Sequence, residues 1–284
     1  MLKLRSLHAY SGGYGGRFGR GVLQNEAPHQ GQGRGGAVRM FFEYKLRVNS
    51  RDVDGHNHAR PSAVLGLLQE AATLAAAELH VSHDETVEKY NAFWMLARVW
   101  YRLNRPLAFD ETLTVRTWHR GGRGASMYRD FDLYVDGEQV GEAVSVWVLA
   151  DMDSHKLLRF SVMEECREET AGGALCKSVQ LSNLKLPDGL PVAERRTMRY
   201  SDTDINSHVN NARYADFVCD AIHLETAGEG KFVSSLQLCY HAECRPGEEL
   251  LLSVGELNGG RCVAGKDGED KLRFSALLTL KDLA

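Results

Sequence analysis

Apolar and polar residues alternate over most of the chain from residue 41 onward, and this period of two predicts β-strands. A helical period interrupts it from Pro61 to about Leu79 and again from about Asn210 to Leu224. The pattern therefore predicts an α+β protein. The alternating segments predict strands at 41–49, 93–105, 112–120, 126–135 and 139–151, and then at 194–200, 232–241, 249–256, 261–264 and 271–281.

The order of these elements repeats. Asp52–His58 matches Asp202–His208 at an offset of 150 residues, with a strand before each segment and a helix after it. A second match sets Tyr101–Pro106 against Tyr240–Pro246 with one residue slipped. The sequence thus predicts two copies of one module, packed side by side with a continuous sheet.

Composition limits the classes of protein to consider. The 284 residues are 43% hydrophobic and 25% charged, which suits two ordinary domains. No window approaches the ~18 apolar residues of a membrane span, and the first 39 residues lack the apolar segment of a secretory signal. We expect a cytoplasmic protein with no membrane insertion. The six cysteines form no CxxC pair, so we expect reduced thiols and no metal site.

Residues 1–39 differ in composition from the rest. They hold ten glycines, six basic residues and one acid, Glu26. This composition predicts a disordered leader; a transit peptide and a true start at Met40 are the alternatives. The remaining residues include 28 basic and 37 acidic side chains, a formal charge of −9, which argues against nucleic acid as a partner.

The loop before the second helix carries candidate catalytic groups. In an extended segment, Asp204, Asn206 and His208 would share one face. Histidine is a common general acid and base, an amide can hold water, and a carboxylate can fix a histidine tautomer. A structural histidine, a turn-stabilising Asn206 and a helix-capping Asp204 are the alternatives. Glu243 and Cys244 follow 35 and 36 residues after His208.

This loop resembles the active-site segment of acyl-acyl carrier protein thioesterases. Further segments of that family's pattern are Arg116-x-Trp118, Arg129-Asp130-Phe131 and the run from Gly141 to Leu149, so the resemblance covers about residues 41–281. It implies a tandem double hot-dog fold, in which antiparallel sheet wraps two long helices. It also implies hydrolysis of fatty acyl-acyl carrier protein (acyl-ACP) without a cofactor. The implied catalytic residues are Asp204, Asn206, His208, Glu243 and, with least support, Cys244.

The resemblance assigns different roles to the two copies. We expect an N-terminal hot-dog domain at 40–165 that holds the acyl chain, a linker at 166–192, and a catalytic domain at 193–284. The first copy has His56 in place of Asn206 and lacks the glutamate, so we expect its site to be inactive. The candidate walls of the acyl pocket, which core packing would explain equally well, are Trp94, Met95, Leu96 and Val99.

Two questions stay open at this point. Neighbours on a strand point to opposite faces, so a Glu243 that faces the site would turn Cys244 away and favour water as the nucleophile. The acidic carrier protein needs a basic surface. Ordinary solvated side chains on strands are the alternative for each candidate residue, and the candidates are Arg116, His119, Arg120, Arg123 and Arg129, or else Arg98, Arg102 and Arg105. An acyl-CoA thioesterase and a non-catalytic acyl-binding protein are the rival functions. A homodimer is left open.

Overall fold

The computed structural model describes residues 41–159, 161 and 181–283, so the predicted leader and most of the predicted linker lie outside the described residues. The first copy contains β1 (Phe42–Arg47), α1 (Pro61–Glu78), α2 (His83–Tyr90), β2 (Ala92–Leu103), β3 (Thr112–Arg123), β4 (Ser126–Val135), β5 (Glu138–Asp151) and β6 (Leu157–Leu158). The second contains β7 (Val192–Thr197), α3 (Arg213–Ala221), α4 (Leu224–Ala227), β8 (Lys231–Tyr240), β9 (Glu249–Leu257), β10 (Gly260–Lys266) and β11 (Leu272–Asp282).

The strands form one antiparallel sheet across both copies. Its order is β1-β3-β4-β5-β2-β8-β11-β10-β9-β7, with β6 attached to β5. The copies meet where β2 pairs with β8, from Arg98 opposite Cys239 to Arg102 opposite Ser235. The order therefore reads the same from both edges, as two copies related by a pseudo-twofold axis require. The predicted continuous sheet is confirmed.

The repeat extends to details of the backbone. Bulges interrupt β2 between Leu96 and Arg98 and β8 between Val233 and Ser235, at matching places in the two copies. Asn57 and Ser207 occupy equivalent loop positions, and both have positive φ, at 63° and 61°. This agreement shows that the two loops share one backbone conformation.

The backbone hydrogen bonds also correct the second sequence match. Ala59 N donates to Leu107 O, and the equivalent Val209 N donates to Cys244 O. Leu107 is therefore the counterpart of Cys244, and Pro106 is the counterpart of Glu243. The sequence match had set Tyr101 against Tyr240, which is wrong by two residues because similar aromatic residues recur at different places in the two strands.

The helices pack on one face of the sheet and against each other. α1 begins at Pro61, as predicted, and buries Val64, Leu65 and Leu68 in a core that also contains Ala215 and Val218 of α3. This arrangement is the expected double hot-dog fold. Within the described residues, no single helix is long and apolar enough to cross a membrane; α1 and α2 meet that requirement only as a pair bent by 46°.

Three helical features differ from the prediction. α3 begins at Arg213 rather than Asn210, because Asn210 forms a turn in which its side-chain oxygen accepts a hydrogen bond from Ala212 N at 2.9 Å. α2 was not predicted, although Ser82 and Glu85 form a capping box at its start. The short helix α4 was also missed.

The shared core predicts cooperative unfolding of both copies. All four tryptophans lie in the first copy, so their fluorescence reports mainly on that copy, with Trp100 at its junction with β8. Leu252 lies on β9 of the second copy and is fully buried. We expect Leu252→Ala to lower the free energy of unfolding by about 2–5 kcal/mol and to shift the urea transitions of fluorescence and circular dichroism equally. A fluorescence transition that stays at its wild-type midpoint would show that the copies unfold independently.

Candidate active site

The loop that carries the candidate residues is a tight turn. Asp204 N donates to His208 O at 3.0 Å, Ser207 N donates to Asp204 O at 3.0 Å, and the carboxylate of Asp204 accepts from Asn206 N at 2.8 Å. The expectation of an extended segment is wrong, because Ser207 has positive φ and reverses the chain. Asp204 thus stabilises the turn that presents His208, whereas the side chain of Asn206 is exposed at the tip.

His208 and Glu243 meet at this turn. His208 Nδ1 lies 2.9 Å from Glu243 Oε2, and the side chains are 29% and 52% exposed. The other carboxylate oxygen of Glu243 accepts from Arg245 Nη2 at 3.0 Å. Because Nδ1 lies beside a carboxylate, Nε2 is the ring nitrogen available for proton transfer, so this arrangement suits a general base.

Cys244 occupies a different environment from its neighbour Glu243. Its side chain is fully buried, and burial raises the pKa of the thiol. The side chain of Tyr214 lowers this pKa, but burial has the larger effect. Because the nucleophilic form of cysteine is the thiolate, this environment disfavours Cys244 as a nucleophile.

The residues before α3 provide a backbone donor for an oxyanion. Asn210 N and Ala212 N donate to Asp202 O and to the Asn210 side chain. Within the described chain, no hydrogen bond is formed by the N–H of Asn211, which precedes α3. A free N–H at the start of a helix stabilises negative charge. The equivalent residue of the first copy is Pro61, which has no N–H.

An apolar cleft leads from this donor beneath α1. Its lining includes Gln69 and Ala72 of α1, Trp147 of β5, and Asn211 with Tyr240 of the second copy. Ile222, which follows Ala72 by the repeat offset of 150 residues, lies directly after the end of α3 and is buried in the core.

Of the four predicted walls, Leu96 and Val99 line the cleft, whereas Trp94 and Met95 do not. The indole N–H of Trp94 donates to Val81 O at 3.1 Å, and the ring packs in a cluster with Val81 instead of lining the cleft. Strand alternation identified the correct side of β2 for Trp94 but could not show where along the strand the cleft ends.

The first copy keeps the turn but not the catalytic pair. Asp54 accepts from His56 N and His58 N at 2.9 and 3.0 Å, so its role in the turn is retained. Pro106 stands where the second copy has Glu243, and no described carboxylate pairs with the ring of His58. A second cleft is lined by His56, His58 and Pro106 together with Lys231 and Phe232. Asp54 also lines it, but the cleft has no counterpart of Glu243, and Pro61 has no N–H to donate.

Two of the three arginines of the predicted docking surface on β3 form ion pairs, which reduces the positive charge that this surface presents. Arg120 forms a bidentate ion pair with Asp130, and its side chain is only 10% exposed. Arg116 pairs with Glu43 at 2.7 Å and stacks on Tyr134. Burial and Arg129 lower the pKa of His119 to about 3, so it carries no charge at neutral pH. Arg123 lies at the end of β3.

The alternative set of arginines on and after β2 is also paired. Arg98 donates to the side chain of Asn183 at 2.7 Å. Arg102 and Arg105 form ion pairs with Glu142 and Glu111. These contacts hold the guanidinium groups against the protein, which reduces the positive charge and the hydrogen-bond donors available to a partner protein.

Sequence reasoning missed two residues of the site. Arg245 forms an ion pair with Glu243. Its position two residues after Glu243 was the available signal, since alternate residues of an extended segment share a face. Gln69 is the polar residue of α1 in the cleft lining. No signal in the sequence distinguished it from a solvent-exposed glutamine, because contact between α1 and the start of α3 depends on the pairing of the two copies.

Comparison with protein families matches both halves of the chain. Residues 39–170 match the acyl-ACP thioesterase N-terminal domain, and residues 191–279 match the acyl-ACP thioesterase C-terminal domain. The oleoyl-acyl carrier protein thioesterase 1 of Arabidopsis thaliana is 26% identical over 85% of this chain and 72% of its own length. The dodecanoyl-[acyl-carrier-protein] hydrolase of Cinnamomum camphora is 27% identical over 80% of this chain and 62% of its own.

Solved structures show the same fold. An acyl-ACP thioesterase from Bacteroides thetaiotaomicron superposes with a TM-score of 0.75 at 23% identity, over 85% of this chain and 98% of its own. The 12:0-ACP thioesterase from Umbellularia californica superposes with a TM-score of 0.71 at 21% identity, over 87% of this chain and all of its own.

The environment of Cys244 predicts slow alkylation. Iodoacetamide reacts with the thiolate, and a raised pKa keeps the folded protein's thiol protonated at neutral pH. We expect the peptide containing Cys244 to be modified at least about 100-fold more slowly in the native protein than in urea, with the rate rising as pH rises. Mass spectrometry of timed samples measures both rates. Equal rates at neutral pH would contradict the buried, protonated thiol.

Proposed function

The chain belongs to the acyl-ACP thioesterase family, and on that basis we propose that it hydrolyses a fatty acyl-ACP to the free fatty acid and the carrier thiol, using water activated by His208. The observation that carries the mechanism is the 2.9 Å contact between His208 Nδ1 and Glu243 Oε2, beside the start of an apolar cleft. The pair supplies a proton acceptor, and the cleft supplies space for hydrocarbon.

The first step adds water to the thioester carbonyl. His208 Nε2 takes a proton from the water as its oxygen bonds to the carbonyl carbon, and Nδ1–H remains donated to Glu243. The carboxylate of Glu243 stabilises the imidazolium that forms, while Arg245 fixes the orientation of that carboxylate. Arg245 is therefore a positioning residue.

The second step expels the thiol. The tetrahedral intermediate places its negative charge on the former carbonyl oxygen, which accepts a hydrogen bond from Asn211 N–H at the start of α3. When the carbon–sulfur bond breaks, His208 returns its proton to the departing sulfur. The balance is one thioester and one water giving one carboxylic acid and one thiol.

The remaining predicted residues have supporting or unassigned roles in this scheme. Asp204 holds the turn that carries His208. The prediction that Asn206 holds water stays a prediction, since its side chain is exposed and makes no described contact with His208. Cys244 has no chemical role here and packs in the core.

The acyl chain enters the cleft beneath α1, so each copy contributes a different part of the site. The second copy supplies the acid–base pair, and the first supplies most of the cleft lining. The relatives are named for dodecanoyl, palmitoyl and oleoyl substrates, which leaves the preferred chain length of this protein to experiment.

A panel of substrates tests the proposal. Equal acyl groups should be offered on acyl carrier protein and on coenzyme A, and released thiol measured. Preference for the carrier protein supports the proposed substrate, whereas preference for coenzyme A would favour an acyl-CoA thioesterase. If no thioester is hydrolysed, the remaining hypothesis is a non-catalytic acyl-binding protein. The expected cytoplasmic location stays a prediction, and the relatives named above are described as chloroplastic.

Loss of the catalytic pair should abolish most turnover. We expect His208→Ala and Glu243→Ala each to lower kcat by roughly 10²–10⁴, because proton transfer is lost. His58→Ala is the matched control in the first copy and should change kcat far less, since Pro106 leaves His58 without a carboxylate. Cys244→Ser should retain most activity. Comparable losses of kcat at His58 and His208 would show that the proposed location of the active site is wrong. An inactive but folded Cys244→Ser would indicate a covalent mechanism.

The repeat also supplies a variant that fills the cleft. Ala72→Ile introduces the residue found 150 positions later in the chain, Ile222. We expect it to lower kcat/KM for long acyl chains by about tenfold or more while short chains are affected less, because the added carbons occupy the space of the chain. Ala77→Ile, on the exposed face of the same helix, is the control. An equal reduction for all chain lengths would remove Ala72 from the acyl site.

A further inference from the structure

Two large apolar side chains stand in solvent next to the catalytic turn. Tyr200 is 90% exposed and Ile205 is 97% exposed, more than any other large hydrophobic residue that the structure describes. Tyr200 begins the short 3-10 helix that leads into the turn, and Ile205 lies between Asp204 and Asn206. Isolated exposed apolar residues are ordinary, but a pair beside a site that receives a protein-bound substrate indicates a contact surface.

The first copy has neither side chain. The loop offset of 150 residues makes Ser50 the counterpart of Tyr200 and Gly55 the counterpart of Ile205. Because the two loops have the same backbone conformation, the turn does not require either apolar residue for folding. The exposed apolar residues therefore occur only in the second copy, which is also the copy that contains the pair of His208 and Glu243.

The charges around this loop favour an acidic partner. Arg199 is exposed and has no ion-pair partner among the described residues. The nearby acids are engaged: Asp202 is buried and accepts from Arg199 N and Arg213, while Glu243 contacts both His208 and Arg245. The rim of the catalytic site therefore presents the unpaired guanidinium of Arg199 beside the apolar side chains of Tyr200 and Ile205. The described part of the chain is acidic as a whole.

We propose that Tyr200, Ile205 and Arg199 form the docking surface for the acyl carrier protein, with the apolar pair in contact with an apolar patch of the carrier and Arg199 against its acidic surface. This inference rests on the proposed function. The carrier delivers its thioester to His208 on a covalently attached arm, so its body docks within reach of that arm from the catalytic turn. Tyr200 and Ile205 lie on the rim of the catalytic site, whereas Arg120 on β3 is held in an internal ion pair.

The experiment compares two substrates with the same acyl group, acyl-ACP and the acyl thioester of N-acetylcysteamine, which lacks the carrier. Tyr200→Ser and Ile205→Ser should each lower kcat/KM for acyl-ACP roughly tenfold, the effect of truncating an interface anchor. The loss for the small thioester should be much smaller. Arg199→Glu should show a similar selective loss that shrinks as salt concentration rises.

Phe109→Ser is the matched control. Phe109 is 49% exposed and lies beside the first-copy loop, where its N–H donates to the side chain of Asn57. We expect this variant to treat both substrates as the wild type does. Thermal denaturation confirms that each variant is folded, and sedimentation measures its oligomeric state.

Each alternative outcome is distinguishable. Wild-type protein that hydrolyses neither thioester would overturn the proposed function itself. Hydrolysis of both, with Tyr200→Ser and Ile205→Ser affecting them equally, would overturn only the docking surface. A selective loss in Phe109→Ser would place the carrier at the first copy. A wild-type dimer that the two variants dissociate, with unchanged substrate selectivity, would assign the surface to a second copy of this chain.

Discussion

The pairing of β2 with β8 is the constraint on which the rest of the structure depends. It joins the six strands of the first copy and the five of the second into one sheet, and it fixes their relation by a pseudo-twofold axis through the pair Trp100 and Gln237. Because of that symmetry, α1 of the first copy packs against α3 of the second, and the start of α3 opens onto a cleft beneath α1. Neither copy alone would bring the acid–base pair and the apolar cleft together.

The symmetry also shows where the two copies differ. The turns are nearly identical, since Asp54 and Asp204 accept equivalent backbone hydrogen bonds. Single differences then separate the copies: Pro106 stands at the position of Glu243, and Pro61 removes a backbone donor that Asn211 keeps. In the proposed mechanism, the first copy therefore binds hydrocarbon and the second transfers protons.

The fold was largely predictable from the sequence, because period-two alternation and the 150-residue repeat are local properties that the chain displays directly. The site was predictable only in part. His208 and Glu243 were paired through resemblance, while the turn conformation depended on a positive φ at Ser207 that alternation does not reveal. The sequence does not show which residue of the neighbouring strand faces Arg120, so its burial against Asp130 could not be predicted. The position of Trp94 likewise depends on packing against Val81, which is distant in the chain.

The central claim is that one chain contains one complete site, assembled from both copies. A crystal structure with a non-hydrolysable acyl-pantetheine ketone tests it most directly. The account predicts one ligand per chain, with its carbonyl oxygen about 3 Å from Asn211 N, its reacting carbon beside His208 and its acyl chain beneath α1. A ligand bound in the cleft of His56 and His58, or an acyl chain lying outside the α1 cleft, would contradict it.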